Sequence, residues 1–469
     1  MKLTNTMKQF TCIIMFLAAT ILTPLGVSAQ MKTSYFMEES IQRLDMNPSF
    51  VPQRGYINIP AIGNIGVNYH SNFLSVKNIL YPDPDGEGLV TFMHSSVDAG
   101  KFLRRMRNTN HLSIGLNENI FGFGAYARNY FWTFGLNLRS ETSLSIPKEF
   151  FRLAKELHAG EYNLKGFNAE SDNYLEFAFG AAVPIFDYLT VGARVKFLLG
   201  GAHASLDVES MQVNINDNEW RADMRGRFNG NITGIDFSHL AGKMPLSEVT
   251  DAIDHFKMSI GSWGLAFDLG ADARLLDDRL KVSLAINDIG FLAWSKKSAV
   301  NGTFDNLSVA FRGYDFDAKD ADFDRPDKVI VDVDAPRRLS RMLTATVNIG
   351  GEYTILHNAI GFGLLSQTRF YGDYTSTELT VSANFRPSSW FSASLSHSLV
   401  QNRMGVIGLA LNAHPSWINF FLGVDYVGFN YGKEGIPINL KSANFYFGLA
   451  VPITHPRVGG RFVADTQKN

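Results

Sequence analysis

Between Trp263 and Arg274 the side chains alternate. Trp263, Leu265, Phe267, Leu269, Ala271 and Ala273 fall on one face, and Gly264, Ala266, Asp268, Gly270, Asp272 and Arg274 on the other. A strand turns successive side chains to opposite faces, so a period of two predicts a strand with one apolar and one wet face. Asp277 and Asp278 supply a turn, and the following run sets Leu280, Val282, Leu284 and Ile286 against Arg279, Lys281 and Ser283. Two such runs joined by a short acidic turn predict a hairpin. The same alternation recurs at Trp132–Arg139, Leu189–Phe197, Leu343–Ile349, Leu379–Phe385 and Asn444–Ile453. The whole pattern predicts about 14 antiparallel strands, with a range of roughly 12 to 16 because boundaries are the weakest part of such a reading.

Alternation alone fits both a sandwich and a barrel, since only the destination of the apolar face differs. Three features favour an all-β, closed transmembrane antiparallel barrel. The strands follow one another as hairpins with no linker between sandwich domains. Some, such as Phe131–Ile146, exceed the roughly 9–11 residues that cross a bilayer. The wet faces carry full charges, including Arg194, Lys196, Asp268, Asp272, Arg274, Arg279 and Lys281, which an aqueous or plugged lumen accommodates. Trp132, Trp263, Trp294, Trp390 and Trp417 fall at or near strand ends, as in an aromatic girdle, although core packing would place tryptophans there too.

The first residues follow another pattern. Lys2 and Lys8 precede the apolar run Phe10–Leu22, Pro24 and Gly26 break it, and Val27-Ser28-Ala29 offers small residues for cleavage before Gln30. This predicts a secretory signal peptide over residues 1–29, the run being short of the roughly 20 residues of a spanning helix. Residues 30–62 then form either a lumen plug or a periplasmic lead-in, residues 63–455 the barrel, and residues 456–469 a C-terminal tail. Met37–Met46 is expected to form a short helix ended by Asn47-Pro48. Pro48, Pro52 and Pro60 argue against a central strand within Asn47–Pro60.

Composition narrows the classes further. Lys+Arg at 43 against Asp+Glu at 45 gives a net charge of −2, which argues against a nucleic-acid partner. Hydrophobic residues at 45% and charged residues at 19% exclude a disordered chain. The one Cys, Cys12, lies within the leader and excludes a disulfide framework or a cysteine-based zinc site.

Three stretches carry a family resemblance: Asp45–Phe50 with Tyr56–Ile65, the hairpin Gly264–Ile289, and the terminal strand Asn444–Ile453. Together they resemble an uncharacterised family of outer-membrane barrels from Bacteroidota. More distantly, the chain is similar to the long-chain fatty-acid transporter barrels and to the barrel shuttle of the type IX secretion system. The fatty-acid transporter resemblance implies a 14-stranded barrel with an N-terminal plug. It transfers no ligand-binding residue.

Two segments have helical spacing. Lys148–His158 groups Phe150, Phe151, Ala154 and Leu157, and Ser247–Phe256 groups Val249, Ile253 and Phe256 behind a capping Ser247. The acidic loop Asp315–Asp334 has oxygen ligands for calcium but lacks the glycine and terminal glutamate of an EF-hand, so a solvated loop is expected. Tyr81–Gly88 reads as a surface turn. No nucleophile elbow, zinc-protease motif or phosphate loop is present, and His94-Ser95 and His397-Ser398 lack a visible third partner. No catalytic, metal or cofactor residue is assigned, and no enzyme activity is expected. The expected function is passage of small, hydrophobic molecules through a barrel in the outer membrane, with membrane lipid around it. A secretion accessory, with large loops at Leu80–Asn110 and Asp315–Asp334 meeting a secretion-system protein, is the alternative.

Overall fold

The computed structural model describes residues 32–462, apart from 85, 87, 157, 217–218, 253–256, 258–260, 313–329, 371–374, 401–402, 426–441, 454–456 and 459–460. The expected signal peptide, with Cys12, and most of the acidic loop Asp315–Asp334 lie outside the described residues. Ile253, Phe256 and Leu157 do so as well.

Fourteen antiparallel strands close into one barrel. β1 comprises Gly55–Asn58 and, beyond a break, Ile65–Ser71. Thr109–Ala127 is β2, Tyr130–Pro147 β3, Phe167–Phe186 β4 and Leu189–Ile215 β5. Trp263–Leu275 is β6 and Leu280–Trp294 β7, while β8 comprises Leu339–Met342 and Ala345–Ile355. Ile360–Phe370 is β9, Thr375–Ser388 β10 and Phe391–Val400 β11. Arg403–Ala413, Asn419–Asp425 and Ser442–Ile453 complete the wall as β12, β13 and β14. Ile65 of β1 lies opposite both Phe447 of β14 and Glu118 of β2, so the last strand meets the first and no edge remains. Closure is what a bilayer demands, because an unpaired backbone group in hydrocarbon costs several kcal/mol.

The wall begins at Gly55, ahead of residue 63 where the sequence placed it. Gly55–Asn58 pairs with β14 on one side, and Tyr56 and Ile57 pair with β2 on the other, which corrects the expectation that Asn47–Pro60 holds no central strand. Pro52 and Pro60 stand just outside the paired stretch and withdraw no ladder donor from it.

Six short connections share one end of the barrel, at residues 128–129, 187–188, 276–279, 356–359, 389–390 and 414–418. The long connections, among them residues 72–108 and 148–166, lie at the other end. Outward side chains form an apolar surface: Phe267 is 47% exposed, Leu269 53%, Phe362 56% and Val381 50%. Their neighbours Asp268 and Thr380 are buried on the inner face. Apolar out and polar in is the arrangement of a membrane barrel and the inverse of a sandwich. No helix among the described residues is long and apolar enough to cross a membrane.

The girdle is partial. Trp132, Trp390 and Trp417 are exposed at the short-turn end, and Trp263 is exposed at the opposite end of β6. Trp294 is fully buried, packed with Leu198, Ala266 and Leu292. A β-bulge explains it. Asp268 faces both Asn287 and Asp288, and Asp288 adopts φ 60°. The extra residue shifts the alternation of β7 by one, so Leu292 and Trp294 turn inward although Val282 and Leu284 point out.

Past Leu199, β5 leaves β6 and from Ala202 pairs with Glu219–Ile232, which pairs in turn with Ala299–Arg312. The ribbon Gly242–Pro245 with Ile330–Val333 joins it. Ile235, Phe237, Leu240, Val300 and Phe304 give this raised sheet a core of its own. Val249 of helix Leu246–Asp251 belongs to that core, and Ser247 is the second residue of the helix. The helix Lys148–Glu156 forms as expected and buries Phe151 against Phe73 and Phe102 of the neighbouring loop.

Candidate functional site

Residues 32–54 lie inside the barrel. In place of the expected helix over Met37–Met46 there is a 3₁₀ turn at Lys32–Ser34 and another at Ile41–Asp45. Such an irregular path leaves its carbonyls without internal donors, and a buried carbonyl needs one. The wall supplies them. Asn287 and Asn348 both donate through Nδ2 to the Met46 carbonyl, at 2.8 and 2.9 Å. Asn419 donates to the Glu39 carbonyl at 2.8 Å, Arg386 to Phe36 at 2.6 Å and Arg194 to Leu44 at 3.1 Å. Tyr126 donates its hydroxyl to Pro52 at 2.6 Å, where the segment leaves the lumen for β1.

Close fit accompanies these bonds. A Cβ on the inward-facing Gly192 would collide with Pro48, on Gly350 with Tyr35, on Gly363 with Phe36 and on Gly448 with Gln42. Glycine is what lets the segment approach the wall at these positions. Apolar contacts fill the remainder: Ile41 and Leu44 pack on Tyr56 and Phe131, and Met37 packs on Phe421 and Tyr446.

The charged strand faces read from the sequence converge here. Arg194, Lys196, Asp268, Asp272, Arg274 and Lys281 all point inward, whereas Arg279 is exposed in the turn after β6. They form two networks. In the first, Lys196 meets Asp288 at 2.6 Å, Asp268 at 2.9 Å and Glu176 at 3.9 Å. Arg139 pairs with Glu176 at 3.3 Å, and Arg194 bridges Asp268 at 3.5 Å to Asp45 of the N-terminal segment at 3.7 Å. The bulge that inverts Trp294 also brings Asp288 to Lys196. In the second network Glu352 accepts from Arg386 at 2.6 Å and from Lys281 at 3.3 Å. Glu38 of the N-terminal segment takes Lys281 at 2.7 Å and Arg274 at 3.6 Å. The wall members of this network are Asp272, Glu352, Arg274, Lys281 and Arg386, and the N-terminal segment adds Glu38 and the buried Arg43, which interacts electrostatically with Asp272 and Glu38. Buried charges of this kind hold only while every partner stays in place.

At its start the segment is tied to the far wall. Lys32 forms an ion pair with Glu378, and Thr33 hydrogen-bonds Asp425 and lies 2.6 Å from Ser396 Oγ. Above it, towards the long loops, the lumen wall carries a third cluster. Arg341 forks onto Glu170 and onto Asp172 at 2.8 Å, and His203 Nδ1 lies 2.7 Å from Asp172. Glu170, Asp172 and His203 approach one another closely enough to share a cation. The guanidinium of Arg341 already supplies the positive charge between them. Of the sequence's His-Ser pairs, His94 hydrogen-bonds Ser96 at 2.8 Å in an exposed loop. His397 lies on the outward face of β11, across from Val381 and Ile407.

A family of unknown function, DUF5723, matches residues 48–425. The chain belongs to the DUF5723 family. Among curated proteins none matches it. Solved barrels resemble the DUF5723 chain in fold: the toluene transporter TodX of Pseudomonas putida has a TM-score of 0.40 at 9% identity, over 89% of this chain and 95% of that one. A FadL homologue of Pseudomonas aeruginosa has a TM-score of 0.42 at 8% identity, over 92% and 98% of the two chains. The toluene transporter TbuX of Ralstonia pickettii has a TM-score of 0.37 at 10% identity, over 92% and 95%. Likeness at this level transfers neither substrate nor residue roles.

Proposed function

We propose that this DUF5723 chain is an outer-membrane barrel for the passage of small molecules, with residues 32–54 as its plug. One observation carries the reading. A segment without regular structure is lodged inside a closed barrel whose outer face is apolar, and its contacts are built from wall glycines, asparagines and charges. A barrel that served only as a membrane anchor would need no such fitted insert. The insert rests on side-chain contacts with the wall, and displacing it opens a route along the lumen.

Cys12 is the one cysteine and lies within the expected signal peptide, so a single engineered disulfide between residues 33 and 396 reports cleanly. Thr33→Cys with Ser396→Cys places two thiols where the native oxygens already touch. In liposomes, oxidation should lower the flux of small solutes severalfold, and reduction should restore it. Equal flux from the verified disulfide and the reduced form would remove the plug from the account.

A further inference from the structure

We infer that the loop between β1 and β2, residues 72–108, is a lipid clamp. It lies on the outer side of the barrel wall at headgroup height and binds an anionic phosphorylated lipid of the outer leaflet. The inference needs a membrane barrel and holds whether or not solutes pass through it.

The strand faces fix where the loop sits. Asn68 of β1 accepts from the inward-facing Tyr446, so its neighbours Val67 and Tyr69 point outward. Leu116, Ile114 and Leu112 of β2, opposite Val67, Tyr69 and Ser71, share that outward face. The loop is fastened to it. Tyr69 donates its hydroxyl to the Leu74 carbonyl at 2.5 Å, and Phe73, Phe102 and Met106 pack with Leu112 and with Ile146 of β3. The loop therefore lies against the outside of the wall and not over the lumen. Its height follows from the girdle, where Trp132 pairs with Ala125 of β2. A strand crosses the hydrocarbon in about 9–11 residues, which from Ala125 ends near Gly115, just below Leu112.

At that height the loop is basic. From Ala99 to Asn108 the chain carries Lys101, Arg104, Arg105 and Arg107 and no acidic residue. Phe102 and Met106 turn into the packed cluster, and the four cations are exposed. Arg105 is committed: it donates to the Lys77 carbonyl at 3.0 Å and to the Tyr81 hydroxyl at 3.3 Å. Lys101, Arg104 and Arg107 form no ion pair with any described residue. Asp98, the acid just before them, serves as a helix cap, accepting from the Lys101 backbone N–H at 2.5 Å. Guanidinium forks match phosphate oxygens. The same loop exposes Leu89 and Met93. Unpaired cations beside exposed apolar side chains suit the boundary between headgroups and acyl chains. A soluble acidic partner would use the cations and leave Leu89 and Met93 in water.

The test uses the full-length protein in phosphatidylcholine nanodiscs doped with lipid A, either phosphorylated or stripped of its phosphates. Lipid A retained per barrel is counted after exchange against excess phosphatidylcholine. The clamp predicts retention of the phosphorylated form alone. Arg104→Gln with Arg107→Gln should weaken it about thirtyfold, at about 1 kcal/mol for each cation at a lipid surface, and leave thermal unfolding in detergent unchanged. Arg221→Gln with Arg225→Gln, on the raised sheet, should retain as much lipid as the parent. Equal retention of both forms of lipid A, or undiminished retention in the Arg104 and Arg107 variant, would overturn the clamp. An equal loss from the raised-sheet variant would reduce the effect to overall charge and overturn the site. Preference for heparin, a soluble polyanion, over phosphorylated lipid A would do the same. None of these outcomes bears on flux through the lumen.

Discussion

The two halves of the lumen are lined by the same strands, yet their walls differ in kind. Around the plug the inner face is shaped: glycine at Gly192, Gly350 and Gly363, asparagine donors at Asn287 and Asn348, and carboxylates and cations paired at full burial. Above it the inner face is charged and partly open, and the Arg341 side chain there is 42% exposed where that of Lys196 is 2%. Water accounts for the difference. A charge with little water must find its partner in the protein, and that partner becomes structural. A charge with water available contributes little to stability even when it is paired.

That contrast can be broken from its strongest side first. Asp268→Ala should lower barrel stability by about 3–5 kcal/mol, since it takes a fully buried carboxylate from both Lys196 and Arg194. Arg341→Gln in the upper half should cost about 1 kcal/mol or less. Thermal unfolding in detergent compares the two, and equal losses would erase the distinction between the halves. Next comes a pair of neighbours. Gly350→Leu collides with Tyr35 and should expose residues 32–54 to protease in the folded barrel, whereas Gly351→Leu meets nothing within 4 Å and should behave as the parent chain. Asn348→Leu removes one of two donors to Met46 and should cost about 1–3 kcal/mol. The smallest effect belongs to the raised sheet, where Arg227 and Asp207 pair at 3.1 Å in the open. Arg227→Gln there should change stability by less than about 0.5 kcal/mol.

The wall was legible because it is periodic. Phe267 and Leu269 against Asp268 state the faces of β6 without any partner strand, and the charges on the wet faces place water or an insert inside. Three features were not legible, each for a physical reason. The bulge at Asp288 adds one residue to a ladder, and nothing in the run Asn287-Asp288-Ile289 announces it, so the choice between girdle and core for Trp294 was not legible. β5 exchanges its partner strand midway, and across a bulge at Gly201 its buried positions change from even, as at Lys196 and Leu198, to odd at His203; neither change is marked in its own sequence. The path of residues 32–54 depends on carbonyl contacts with β5, β7, β8, β10 and β13, which are remote in sequence and carry no period. The inward glycines were the available signal for it. Gly350 and Gly363 interrupt the alternation of β8 and β9 where the N-terminal segment comes close, at Tyr35 and Phe36.

Everything rests on which way the strand faces point. A nitroxide walked along Leu379–Phe385 of β10 in lipid vesicles reads this residue by residue. The account predicts a period of two, with oxygen reaching Leu379, Val381, Ala383 and Phe385 from the lipid, and with Thr380, Ser382 and Asn384 shielded from it. Oxygen access at the even positions, or a label pattern without period, would contradict it.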